Sequence, residues 1–143
     1  MPFRLLKSTA VIIVFTFFFL SCKTKINQIK NNLQEGKWIT IDTLDYLYIT
    51  KGKYHKGIAI GSWKYIYKDK LDRKEKYMKN KCLTKFYYQN GKVKQQGYTR
   101  LDYIDKKAHW FYFGKWYNYD EKGKLIKIDT YENGIMQKTD SIK

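Results

Sequence analysis

Residues 116–134 read WYNYDEKGKLIKIDTYENG, and this stretch decides the fold. Trp116 to Tyr119 is rich in aromatic rings, which favour a pleated, half-buried surface. Asp120-Glu121-Lys122-Gly123 follows. Gly123 reaches positive φ without steric cost, so a type I turn closed by a glycine bulge is expected there. Lys124 to Tyr131 then alternates, with Leu125, Lys127, Asp129 and Tyr131 on one face and Ile126, Ile128 and Thr130 on the other. Asn133-Gly134 is a second hairpin turn. The stretch is strand, turn, strand, turn.

The same grammar recurs upstream. Phe86 to Gly97 reads FYYQNGKVKQQG, with its turn at Asn90-Gly91. Trp63 to Tyr77 reads WKYIYKDKLDRKEKY, with Lys68-Asp69-Lys70 in the turn position. Gly36-Lys37-Trp38 opens a first copy whose turn falls at Thr43-Leu44-Asp45. The leading rings, Trp38, Trp63, Phe86 and Trp116, are spaced 25, 23 and 30 residues apart. A repeat of this length is one supersecondary unit that cannot bury its apolar face alone.

Gly61-Ser62-Trp63-Lys64, Tyr87-Tyr88-Gln89-Asn90-Gly91-Lys92 and Gly114-Lys115-Trp116 through Tyr131-Glu132-Asn133-Gly134 resemble the MORN repeat variant of bacterial proteins. The likeness covers about two-thirds of the chain. It implies an architecture rather than a chemistry, because turn glycines and strand aromatics are structural. It also implies an antitoxin-like role, which similar proteins carry by genomic association.

The expected fold is all-β: an antiparallel meander of repeated β-hairpins in a single sheet, with barrel closure as the lesser alternative. The expected segments are a signal peptide (1–21), a polar tether (22–35), the repeat domain (36–138) and a tail (139–143). Between Trp38 and Ile60 the pattern predicts three or four short strands. Ile26, Ile29 and Leu33 fall at helical spacing, so the tether is expected as extended chain or a turn or two of helix. The only proline is Pro2, so none interrupts a ladder further on.

Arg4 and Lys7 precede an apolar run from Ala10 to Leu20, too short to span a bilayer and right for a signal peptide. It ends in Phe19-Leu20-Ser21-Cys22, which resembles a bacterial lipobox. Cys22 is the expected site of lipidation, which would moor the protein to the membrane. The expected location is the cell envelope, on a periplasm-facing membrane.

Net charge is +16, and +14 for residues 22–143, since residues 1–21 hold only Arg4 and Lys7. Such basicity points to an anionic envelope component or an acidic protein as partner. The plainer reading is that the lysines are outward-facing strand residues that blunt sheet edges. Nucleic acid is disfavoured by the export signal.

His109-Trp110-Phe111-Tyr112-Phe113 carries more rings than one strand face needs. Either both faces of this longer strand pair are covered, or an aromatic patch is exposed. In the second case Trp110, Tyr112 and Trp116, with Lys106 and Lys107, form the contact surface. Catalysis is not expected. Cys82 and His109 are the only nucleophile–base candidates; Lys79, Lys81 and Lys85 would lower the thiol pKa, but no orienting partner is evident and a buried or merely tolerated thiol is the favoured reading. Asp42/Asp45 and Asp102/Asp105 would face apart on strands. No cofactor and no metal site is expected. The sequence thus reads as a lipid-anchored binding or scaffolding module, with an antitoxin or immunity-type factor as the alternative. Its oligomeric state is left open.

Overall fold

The computed structural model describes residues 25–43, 45–104 and 107–143, excepting the side chains of residues 103, 104, 107 and 108. The signal peptide and Cys22 lie outside the described residues. Ten strands follow one another: β1 (Gln28–Lys30), β2 (Leu33–Asp42), β3 (Tyr48–His55), β4 (Ile58–Tyr67), β5 (Lys70–Tyr77), β6 (Lys81–Tyr87), β7 (Val93–Ile104), β8 (Lys107–Tyr119), β9 (Leu125–Glu132) and β10 (Ile135–Ser141). They form one antiparallel sheet whose spatial order is the chain order, with β1 and β10 at its edges. The expected all-β meander of hairpins is what the chain adopts.

The turns follow local chemistry. Gly123 has φ +89°, and its N–H donates to the Asp120 carbonyl at 2.9 Å. The Asp120 carboxylate accepts from the backbone N–H groups of Lys122 and Lys124. Asn133-Gly134 makes the expected two-residue turn, pairing Glu132 with Ile135. Lys68 and Asp69 make another with φ +48° and +61°, so this turn closes without glycine. The register pairing around it outweighs the modest cost of left-handed backbone at two non-glycine residues.

The sheet begins earlier than the expected tether allows. Residues 28–35 form β1, a hairpin turn and the start of β2, not a helix or free chain. The turn is Asn31-Asn32, with φ of +50° and +60°. Asparagine is among the non-glycine residues that best tolerate this conformation. Asn27 completes the edge. Its Nδ2 donates to the Ile39 carbonyl at 2.8 Å, and its Oδ1 accepts from the Ile39 N–H at 2.7 Å. One side chain thereby takes the place of a strand residue and covers a free edge. Between Trp38 and Ile60 the strands are three and long rather than short: the second half of β2, all of β3 and the start of β4. At the far end β10 is a last short strand that reaches Ser141, within the expected tail (139–143).

The two faces differ. One carries the rings Trp38, Tyr54, Trp63, Tyr77, Tyr112, Trp116 and Tyr131 in edge or stacked contacts. The other is dominated by lysine. The ring face is concave, since Tyr77 on β5 meets Trp110 on β8 at 5.7 Å across two intervening strands. The buried apolar side chains among the described residues, Trp63, Trp116 and Cys82, all lie on this face.

Candidate binding surface

The ring face is built twice. Across β3–β6, Gly52, Trp63, Glu75 and Thr84 lie side by side; across β7–β10, Gly97, Trp116, Asp129 and Thr139 do the same. Thr84 pairs with Gly97 and joins the two blocks. Both glycines sit at register shifts, where the neighbouring indole lies across the bare backbone. A Cβ at either position would fall well inside van der Waals contact with that indole. Further correspondences follow: Gly61 pairs with Tyr77 and Gly114 with Tyr131. The structural unit is therefore four strands, two hairpins long, rather than the single hairpin of about 25 residues expected.

Each block buries one carboxylate beneath its tryptophan. Glu75 Oε2 accepts from the Tyr65 and Tyr77 hydroxyls, both at 2.8 Å, and Arg73 Nε lies 3.5 Å from Oε1. The Arg73 guanidinium sits 3.8 Å from the centre of the Tyr65 ring. Burial, and then the Glu75 carboxylate, hold both tyrosine hydroxyls well above the usual phenol range. In the second block Asp129 Oδ1 accepts from Thr139 at 2.7 Å and Oδ2 from Asn118 Nδ2 at 2.9 Å, with Lys127 Nζ 3.1 Å away. Burial pushes the Asp129 pKa up, but these three partners outweigh it and the net shift is downward.

Between the blocks lies a hollow of about 330 Å³, in the size range of ligand sites. Its floor is small side chains on the two middle strands, Cys82 and Thr84 on β6 and Thr99 on β7. Its walls are Tyr65, Tyr77 and Phe86 on one side and Trp110 and Tyr112 on the other. Arg73 and Glu75 complete it. Large residues on β4, β5 and β8, with Phe86 at one end of β6, surround the small Cys82, Thr84 and Thr99 and make the depression; the sheet's curvature deepens it.

The expected contact residues divide. Trp110, 39% exposed, stands at the rim, and Tyr112 forms the wall, stacked on Trp116 at 4.1 Å. Trp116 is 0% exposed, so it braces the wall and offers no surface to a partner. Lys107 opens β8, but its side chain, like the whole of Lys106, lies outside the described residues. Phe111 and Phe113 point to the opposite face, as the alternation implied. The sequence reading missed Arg73, Glu75 and Phe86. The signal available was the recurrence of Gly-x-Trp followed by an acid two residues before a tyrosine, Glu75–Tyr77 and Asp129–Tyr131.

Cys82 is the buried thiol expected, but its electrostatics differ from expectation. Burial, then the Glu75 charge, pushes its thiol up to about 11, whereas neighbouring lysines were expected to lower it. The reason is alternation: Lys81 and Lys85 emerge on the other face. His109 does too, so Cys82 and His109 stand on opposite sides of the sheet. With Cys82 only 2% exposed, its reaction with an aromatic disulfide reagent at pH 8 is expected to run about 100-fold slower in the folded protein than in urea. Rapid labelling of the folded chain would contradict this placement. Asp42 and Asp45 also differ from expectation. The strand ends at Asp42, so alternation does not separate them, and both border a shallow hollow with Tyr46, Tyr48 and Tyr67. Asp105 lies outside the described residues.

Among the described residues, no group of three or more His, Cys, Asp or Glu is placed to hold a metal ion. No helix among them is long and apolar enough to cross a membrane. No protein-family profile, curated protein or solved structure matches the chain.

Proposed function

We propose that the chain is a lipid-anchored, non-catalytic binding module of the bacterial cell envelope. The observation that carries this reading is the hollow walled by Trp110, Tyr112 and Phe86. Its rings are held in place by buried neighbours before any partner arrives, which lowers the ordering cost of association. Its polar groups are occupied with one another: Glu75 with two tyrosines and Arg73, and Cys82 with a thiol pKa too high for a nucleophile at neutral pH. The basic and apolar segments before Cys22, and their resemblance to a lipoprotein leader, support the anchor. The partner is a protein or an anionic envelope component that seats an apolar group against the Trp110 rim.

The test is cross-linking and affinity capture of the full-length protein from membranes, beside a Trp110→Ala variant. Trp110 is exposed enough that this change leaves the fold intact, so loss of a specific partner in the variant supports the site. A single small toxin as the captured partner would assign the protein to the antitoxin class instead. Equal capture by both proteins would remove the hollow from the contact surface. Mass spectrometry of the mature N-terminus checks the anchor separately: a diacylated or triacylated Cys22 is expected, and an intact residue 1 overturns it.

A further inference from the structure

The convex face carries an arrangement that folding does not explain. Following the strand pairings across the sheet, one row reads Ile39, Lys51, Lys64, Lys74, Lys85, Gln96, Tyr117, Ile128, Asp140. Four lysines on four adjacent strands thus stand directly opposite one another. Like charges in directly opposed positions repel. None of the four is in an ion pair among the described residues, and the first carboxylate in the row, Asp140, is already paired with Lys138 at 2.7 Å. Two hollows adjoin along this row and share Ser62. One, of about 600 Å³, is bordered by Lys51, Lys53 and Lys64; the other, of about 290 Å³, by Lys74, Lys76, Lys85 and Tyr87. Lys74 and Lys85 are half-buried in the second.

We infer that this groove binds a linear anionic polysaccharide, laid across the strands with one carboxylate, sulfate or phosphate per sugar. Adjacent strands are about 4.8 Å apart, so the four lysine Cα positions span about 14 Å at regular intervals. Successive rings of an extended polysaccharide alternate in direction, so anionic groups on one side recur every second ring, an advance close to two strand spacings, and meet every second lysine. The groove continues the match at its ends. Beyond Lys85 the row offers an amide, Gln96, whose Nε2 donates to the Tyr119 hydroxyl at 2.7 Å and whose oxygen is left to accept, and a half-buried ring, Tyr117; Tyr87 lines the hollow itself. Amide and ring suit sugar hydroxyls and the apolar face of a pyranose. A flat bilayer surface suits such a row less well, because Lys74 and Lys85 are half-buried residues within the hollow. The groove lies on the face opposite Trp110, so this site stands apart from the proposed partner hollow and does not depend on the anchor.

The test uses the full-length protein in neutral detergent and polygalacturonate as probe, with phosphatidylglycerol vesicles and a single-stranded oligonucleotide at equal charge concentration. Saturable binding of the polysaccharide that weakens with salt is expected, ahead of both other polyanions. Lys64→Glu with Lys74→Glu is expected to weaken it at least about tenfold. These changes place opposite charges beside Lys51 and Lys85 and leave one like-charged pair, the two new carboxylates, in place of three, so the fold gains rather than loses, which a melting curve checks. Lys64→Gln with Lys74→Gln should show the same loss without reversing charge. A control pair of equal charge change away from the groove, Lys122→Glu with Lys124→Glu, should bind as the parent does. Equal loss in the control would show that net charge alone is being read and would overturn the site. Preference for vesicles or oligonucleotide would overturn it as well. Trp110→Ala should retain polysaccharide binding, which separates this outcome from that of the partner capture.

Discussion

Trp116→Ala is expected to destabilise the fold by about 3–5 kcal/mol, the range for truncating a fully buried tryptophan. The indole is 0% exposed, stacks on Tyr112, meets Tyr131 edge-on and donates from Nε1 to the Tyr98 carbonyl at 3.1 Å. Alanine leaves that carbonyl and the Asp129 cluster below it open to water. Since domains of this size are stable by only about 5–15 kcal/mol, a large part of the total is at stake. The neighbouring glycine sharpens the test. Gly97→Ala drives a methyl group into the same indole and should cost about 1–3 kcal/mol. In a Trp116→Ala background the methyl has room, so the two costs should fall well short of additive. Urea unfolding followed by far-ultraviolet circular dichroism measures all three variants. Additive costs would mean that the indole does not lie across Gly97.

Glu75→Ala should be nearly as damaging, at about 3 kcal/mol, for a different reason. Its carboxylate is the acceptor for two largely buried tyrosine hydroxyls and the counter-charge of Arg73, and each orphaned buried group costs about 1–3 kcal/mol. The same cluster predicts an alkaline limb. The Tyr65 and Tyr77 hydroxyls have folded-state pKa values raised above the unfolded phenol value of about 10. A group with a raised folded value contributes stability that is fully present below the unfolded pKa and is lost as pH climbs beyond it. Urea midpoints should therefore hold to about pH 10 and fall above it. Comparison with Tyr65→Phe, Tyr77→Phe isolates the tyrosines: its midpoint should be lower at pH 8 but flatter above pH 10. Parallel pH curves for the two proteins would exclude the cluster as the cause.

The hairpins were legible because their signals are local. Asn133-Gly134, Gly123 and Asn90-Gly91 specify turns through backbone conformations available to few residues, and alternation from Leu125 to Tyr131 assigns faces directly. The edge hairpin at 28–42 was not legible. Its turn is Asn31-Asn32 in a polar stretch, and what holds it, the Asn27 side chain on Ile39, joins residues 12 apart in sequence. The hollow was half legible. Trp110 and Tyr112 announce themselves as surplus rings. Glu75 and Arg73 sit in KDKLDRKEKY, where charges look like ordinary outward residues; only the pairing of Glu75 with Trp63 shows that one is buried. The same limit misled the expected effect of the lysines on Cys82, though not the expectation that its thiol is buried. Lysines adjacent in sequence are on the far side of the sheet, so proximity along the chain did not translate into an electrostatic field at the sulfur.

The four-strand block has a bearing on how such a chain changes length. Backbone pairing joins only consecutive strands, so a block can be duplicated or deleted without rerouting any other part of the molecule. Thr84 meeting Gly97 is the one seam such an event must reproduce. Each added copy would bring its own buried acid and its own tryptophan laid over glycine, and each new seam would create another depression between blocks. Reach and the number of docking cups would grow together, in steps of two hairpins, so paralogues of different size should differ by whole steps and not by single strands.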